Sequence, residues 1–97
     1  MKTTNEYIRL LRRFERAHAA EYGIIRMGIF GSVARKEHTN DSDIDVVVQL
    51  KQPDLFTLAG IKLDLEKLYH KPVDVVIYSD TMNAFLKQQI DRETLYA

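Results

Sequence analysis

Two β-branched runs with a helical stretch between them constrain this chain more than anything else in it. Ile44 to Leu50 reads Ile-Asp-Val-Val-Val-Gln-Leu, and Val73 to Tyr78 reads Val-Asp-Val-Val-Ile-Tyr. Both are strand patterns, and the Val-rich Ile44 to Leu50 reads as a central strand of a sheet. Between them, Pro53 and Asp54 open a helix, with Asp54 near the N-terminus, where a negative charge is favoured. Leu55, Leu58, Ile61, Leu65 and Leu68 carry that helix to about Tyr69. Strands joined by such a crossover favour a parallel pair with a right-handed connection.

The remaining elements follow from the same rules. Thr3 to Ala20 reads as a helix, with a capping box from Thr3 and Glu6 and an apolar stripe of Ile8, Leu11, Phe14 and Ala17. Gly23 stops it. Ile24 to Phe30 reads as a strand that Gly31 ends, and Ser32 to Lys36 as a short helical turn with Ser32 as N-cap. Glu37 to Ser42 is a polar loop. This short connection makes the first and second strands antiparallel neighbours. Ser79 or Asp80 caps a last helix through about Asp91, with Met82, Phe85, Leu86 and Ile90 buried, and Thr94 to Tyr96 is a short edge strand. The fold class expected is α+β in two layers: a small mixed sheet with helices mainly on one face.

The 97 residues fit a single domain, 1–97, with a modest core. Lys and Arg balance Asp and Glu at 14 each, so no overall field favours nucleic acid, and no direct nucleic-acid partner is expected. Arg9, Arg12, Arg13 and Arg16 form a local basic row on the first helix, read as a solvated face or a docking surface. Cysteine is absent, which excludes disulfide frameworks and thiolate metal sites. No apolar run approaches ~18 residues, so no membrane span or signal peptide is expected and the expected location is cytoplasmic.

Strand geometry then brings chemistry to one corner. Positions i and i+2 share a face, so Asp43 and Asp45 lie together, opposite the apolar Ile44, Val46 and Val48. Asp74 starts the neighbouring parallel strand, roughly one strand spacing of ~5 Å away. The antiparallel first strand delivers Gly31 and Ser32 to the same end. Clustered carboxylates repel unless cations intervene, and hard oxygen donors suit Mg²⁺ or Mn²⁺. Two such ions can bridge a nucleophile and a triphosphate. Gly31 lets the backbone approach a phosphate, the Ser32 hydroxyl and adjacent amides can hold its oxygens, and Arg35 can add a charged contact. The bland alternatives are exposed acids at a strand entrance, a solvated Arg35, and a Ser42 that buttresses its own loop. His18, His38 and His70 have no ligand spacing and read as surface residues. Tyr78 reads as packed at a strand end, with an approach to a nucleotide base as the alternative.

Gly31-Ser32, ten intervening residues and Asp43-x-Asp45, with Phe30 before and a Val run after, resemble the signature of the DNA polymerase beta-like nucleotidyltransferase superfamily. Ala34-Arg35, Ser42, Asp74 and Leu95-Tyr96 extend the likeness along the whole chain to the minimal, MNT-type members. The resemblance implies that Asp43, Asp45 and Asp74 are the catalytic, metal-binding acids, with two Mg²⁺ ions (or Mn²⁺). It implies that Gly31, Ser32, Arg35 and Ser42 bind the nucleotide. It further implies AMP transfer from ATP to a tyrosine of a HEPN-domain toxin, in a hetero-oligomer where this chain is the antitoxin. Two alternatives stand beside it: an antitoxin that neutralises by binding alone, and a free-standing transferase acting on a small molecule. Lys36 and Glu93 depart from the family, where glycine is common. A left-handed Lys36 would cost on the order of 1 kcal/mol.

Overall fold

A capping box does start the first helix. In the computed structural model, which describes residues 1–97, the Glu6 amide donates to the Thr3 hydroxyl and the Thr3 amide to the Glu6 carboxylate. Helix α1 runs Thr4–Tyr22 and ends at Gly23, whose φ of 67° is left-handed. Strand β1 follows at Ile24–Phe30, then a single helical turn, α2, at Gly31–Ala34. Strand β2 is Ile44–Leu50, helix α3 Leu55–Tyr69, and strand β3 Val73–Ile77. Helix α4, Ala84–Glu93, and the two-residue strand β4, Leu95–Tyr96, complete the chain.

The sheet order is β3-β2-β1-β4. Strands β2 and β3 are parallel, in the register Ile44↔Val73, Asp45↔Asp74, Val46↔Val75. Strands β1 and β2 are antiparallel, closing with Phe30↔Asp45. The pleat divides β2 as its sequence requires. Ile44, Val46 and Val48 are fully buried in the main core with Leu11, Phe14, Ile61 and Leu65 of α1 and α3. On the other face Val47 packs with Phe30 and with Ile90 of α4. Burying side chains of this size contributes about 1.5–3 kcal/mol each. Two helices therefore cover one face and a short one crosses the other, above the strand ends that carry the acids.

Several side chains differ from expectation. The deep face of α1 is Thr4, Tyr7, Leu11 and Phe14, with Ile8 half-buried and Ala17 exposed. Tyr7 wins the place because the Tyr69 hydroxyl donates to its carbonyl at 2.9 Å and the two rings meet edge to face. Asp54 lies at the N-terminus of α3 as expected and there also caps it, accepting from the Phe56 amide at 3.1 Å, but Leu55 in the first turn is exposed. Neither Ser79 nor Asp80 caps α4. They lie in a turn, Asn83 accepts from the Leu86 amide, and the helix starts later. Phe85, in the first turn of α4, points outward and is 83% exposed, while Met82 and Leu86 are half-buried and Ile90 is buried. His38 is half-buried, its Nε2 2.8 Å from the Lys2 carbonyl. Tyr78 lies just beyond β3 and donates to Asp91 at 2.8 Å. No helix is long and apolar enough to cross a membrane.

Candidate active site

The corner is built from the central strand outward. Asp45 is the second residue of β2, so its backbone is held on both sides, by Phe30 and by Asp74. Its side chain leaves the face opposite the main core and is half-buried. Asp74 stands beside it on β3 and is exposed. Its strand entry is clamped by α3: the Val73 amide donates to Glu66 at 3.1 Å and Lys62 donates to the Val73 carbonyl at 2.6 Å. Asp43 precedes β2 and is exposed.

Burial raises the carboxyl pKa of Asp45, and the charges of Asp74 and Asp43 raise it further, against a smaller opposing pull from Arg35. None of the five salt bridges reaches Asp43, Asp45 or Asp74. As placed, no three His, Cys, Asp or Glu side chains converge tightly enough to enclose an ion. The donor set nevertheless fits a hard divalent cation: all oxygen and all anionic, with Asp45 and Asp74 side by side in register, and none of the three in a salt bridge.

Gly31 abuts this acid. Its φ is 75°, and a Cβ built there would overlap the Asp45 carboxylate. The Gly31 turn and Asp45 are thus in direct contact, and glycine is required twice over, by backbone conformation and by space. The turn is tied to α1 by the Thr4 hydroxyl, which donates to the Val33 carbonyl at 2.6 Å. Ser32 lies in the turn but does not cap it. Phe30 holds the N-cap position, with no side-chain cap bond. Ser42 braces the loop before Asp43, accepting from the Thr39 amide at 2.9 Å, so its hydroxyl faces its own loop rather than the turn. Lys36 takes the left-handed conformation, φ 61°.

Arg35 is not a free cation. Its Nη1 donates to both oxygens of Glu93 at 3.1 Å, and its Nε to Glu37 at 3.4 Å. Glu93 Oε1 also accepts from the Gly31 amide at 2.7 Å and from the Gln89 side chain at 2.8 Å. Burial pushes the Glu93 carboxyl up, but these donors outweigh it and hold it below the usual range. In the sequence Glu93 stands out only as a replacement for glycine, with no role attached. A signal was available: a carboxylate in the last turn of a helix faces the negative end of the dipole and needs partners elsewhere. The cavities of the structure are lined by other residues, so the acid corner is an open shelf.

Residues 10–97 match the family described as nucleotidyltransferase domain. The chain is 30% identical over 97 residues to the protein adenylyltransferase MntA of Thermococcus cleftensis, covering 99% of this chain and 97% of that one. A solved minimal nucleotidyltransferase superposes with a TM-score of 0.77 at 34% identity, covering 97% of this chain and 95% of the other. A toxin–antitoxin structure with AMP-PNP shares the fold, with a TM-score of 0.71 at 21% identity over 98% of this chain and 72% of the other.

Proposed function

The chain belongs to the nucleotidyltransferase domain family, and from that premise we propose that it moves AMP from ATP onto a tyrosine of a partner protein. The partner class we assign is a HEPN-type toxin, which makes this chain its antitoxin. The observation that carries the chemistry is the contact between Gly31 and Asp45, with Asp74 paired beside Asp45 on the neighbouring strand and Asp43 two residues before it. The acceptor class is supported by likeness to a protein adenylyltransferase across nearly the whole chain. The toxin is suggested by a fold neighbour solved as a toxin–antitoxin.

Asp43, Asp45 and Asp74 would hold two Mg²⁺ ions, or Mn²⁺. When bound, these ions neutralise charge on the phosphates and orient them for in-line displacement. The chain's own residues do the rest. The Gly31 amide, the Ser32 hydroxyl and the Arg35 guanidinium hold phosphate oxygens and fix the α-phosphorus above the shelf. The acceptor oxygen attacks that phosphorus. One new P–O bond forms, the bond to the bridging α–β oxygen breaks, and pyrophosphate leaves. The hydroxyl proton passes to an exposed carboxylate, Asp43 or Asp74. The open shelf suits an acceptor carried on another chain.

Incubation with α-labelled ATP, Mg²⁺ and the candidate toxin tests the reading. Label should appear on a toxin tyrosine and vanish with Asp43→Ala/Asp45→Ala. Full neutralisation by that double variant, with no label at any stage, refutes catalysis in favour of blocking by occupancy. Label on a small molecule without any partner refutes the protein acceptor.

A further inference from the structure

Glu93 ends α4, where the helix dipole disfavours an anion, and yet it is well buried, its side chain 12% exposed. Three donors hold it there: the Gly31 amide, Arg35 Nη1 and Gln89 Nε2. The first two are the donors assigned above to the nucleotide. A carboxylate presents two coplanar anionic oxygens, and Arg35 reaches both. It therefore satisfies these donors as one edge of a phosphate does. Gly31 has one N–H, and it cannot serve Glu93 and a phosphate fully at once.

We infer that Glu93 is an internal phosphate surrogate, which occupies the nucleotide cradle in the free protein and is displaced by the β- and γ-phosphates of the incoming nucleoside triphosphate. This rests on the reading that Gly31 and Arg35 bind phosphate. The displacement needs only the side chain to move. The residues after Glu93 are pinned to β1, through Ile29↔Leu95, Gly28↔Tyr96 and the Ala97 amide to the Met27 carbonyl at 2.9 Å. Gln89, one turn earlier, loses its acceptor when Glu93 leaves. The surrogate keeps the turn and Arg35 in place, and it lowers apparent affinity by the fraction of time it occupies the cradle.

The test compares binding of AMP-PNP and of AMP, with Mg²⁺, to the wild type, Glu93→Gln, Glu93→Ala and Asp45→Asn. Relief of an occupant present nine-tenths of the time tightens AMP-PNP binding about tenfold. Glu93→Ala should show that gain, Glu93→Gln a smaller one, and AMP, which lacks the outer phosphates, almost none. Both variants should also melt below the wild type, so that affinity rises while stability falls. A brace that merely positions Arg35 predicts the reverse for affinity, and equal or weaker AMP-PNP binding overturns the inference. Should wild type bind AMP-PNP and Asp45→Asn weaken it while the Glu93 variants gain nothing, the surrogate fails and the proposed site stands. Absence of AMP-PNP binding in every form overturns both. The wild type gives a second readout that survives a misfolded variant. The Gln89 side-chain amide resonances should move toward free-amide positions when AMP-PNP is added and stay put with AMP. Unmoved Gln89 resonances at saturating AMP-PNP overturn the surrogate.

Discussion

Gly31→Ala asks whether the turn and the acid truly press on each other, and the chain supplies its own control. Gly31 and Gly23 share a left-handed backbone, at φ 75° and 67°. An L-residue there costs about 1–2 kcal/mol. Restricting the unfolded chain returns about 0.4–1 kcal/mol in both cases. The positions differ only in what the new methyl meets. At Gly23 the nearest atom is the Lys51 Cβ at 3.8 Å, an ordinary contact. At Gly31 it overlaps the half-buried Asp45 carboxylate, and overpacking of this kind adds about 1–3 kcal/mol. Gly23→Ala should therefore cost about 0.5–1 kcal/mol, and Gly31→Ala about 2–4 kcal/mol. In thermal melts followed by circular dichroism, Gly31→Ala should unfold about 10–25 °C lower, against about 5 °C for Gly23→Ala. Label transfer from ATP should fall with it, because relief of the overlap moves Asp45. Equal melting temperatures for the two variants would show that Asp45 does not bear on the turn, and the geometric basis of the proposed site would be lost.

Lys36→Gly should raise stability by about 0.5–1 kcal/mol in urea unfolding, since an exposed lysine holds φ 61° and only glycine does so without strain. Asp45→Asn should stabilise the cation-free protein at neutral pH. The folded-state pKa of Asp45 lies above its unfolded value, so the native state holds the proton more tightly and stability is lost as pH rises through that window. Melts across pH should show the variant's advantage growing up to the raised pKa and vanishing below the ordinary aspartate range. Tyr22→Phe removes a 2.5 Å bond to Asp64 that joins α1 to α3, and should cost about 1–2 kcal/mol in urea unfolding. It should also delete a phenol ionisation pushed up to about 12, visible in ultraviolet titration.

The sheet was legible because its signals are local. Runs such as Ile44–Leu50 are β-branched and bounded by turn residues, and the lengths of the two connections dictate antiparallel and parallel pairing. Register then set Asp45 beside Asp74 without further information. The start of α4 was not legible, because Ser79, Asp80 and Asn83 are all competent caps and local propensity does not rank them. Ser32 looked like a cap for the same reason. Phe85, next to the inward Leu86, reads as core by its apolarity, yet in the first turn of α4 it meets solvent. The tie between Glu93, Gly31 and Arg35 spans about sixty residues and rests on side-chain geometry that no periodicity encodes.

The sheet order has a kinetic consequence for the acids. Asp45 rides on a strand paired along both margins, while Asp74 rides on a border strand whose outer margin has no ladder partner. Amides around Val46 to Val48 should exchange with solvent only when the whole domain opens, whereas those of β3 that point away from β2 escape through small local fluctuations. One acid is therefore a fixed reference and the other a compliant arm. A site built this way can adjust one oxygen donor to its occupant while the other keeps its position relative to the turn.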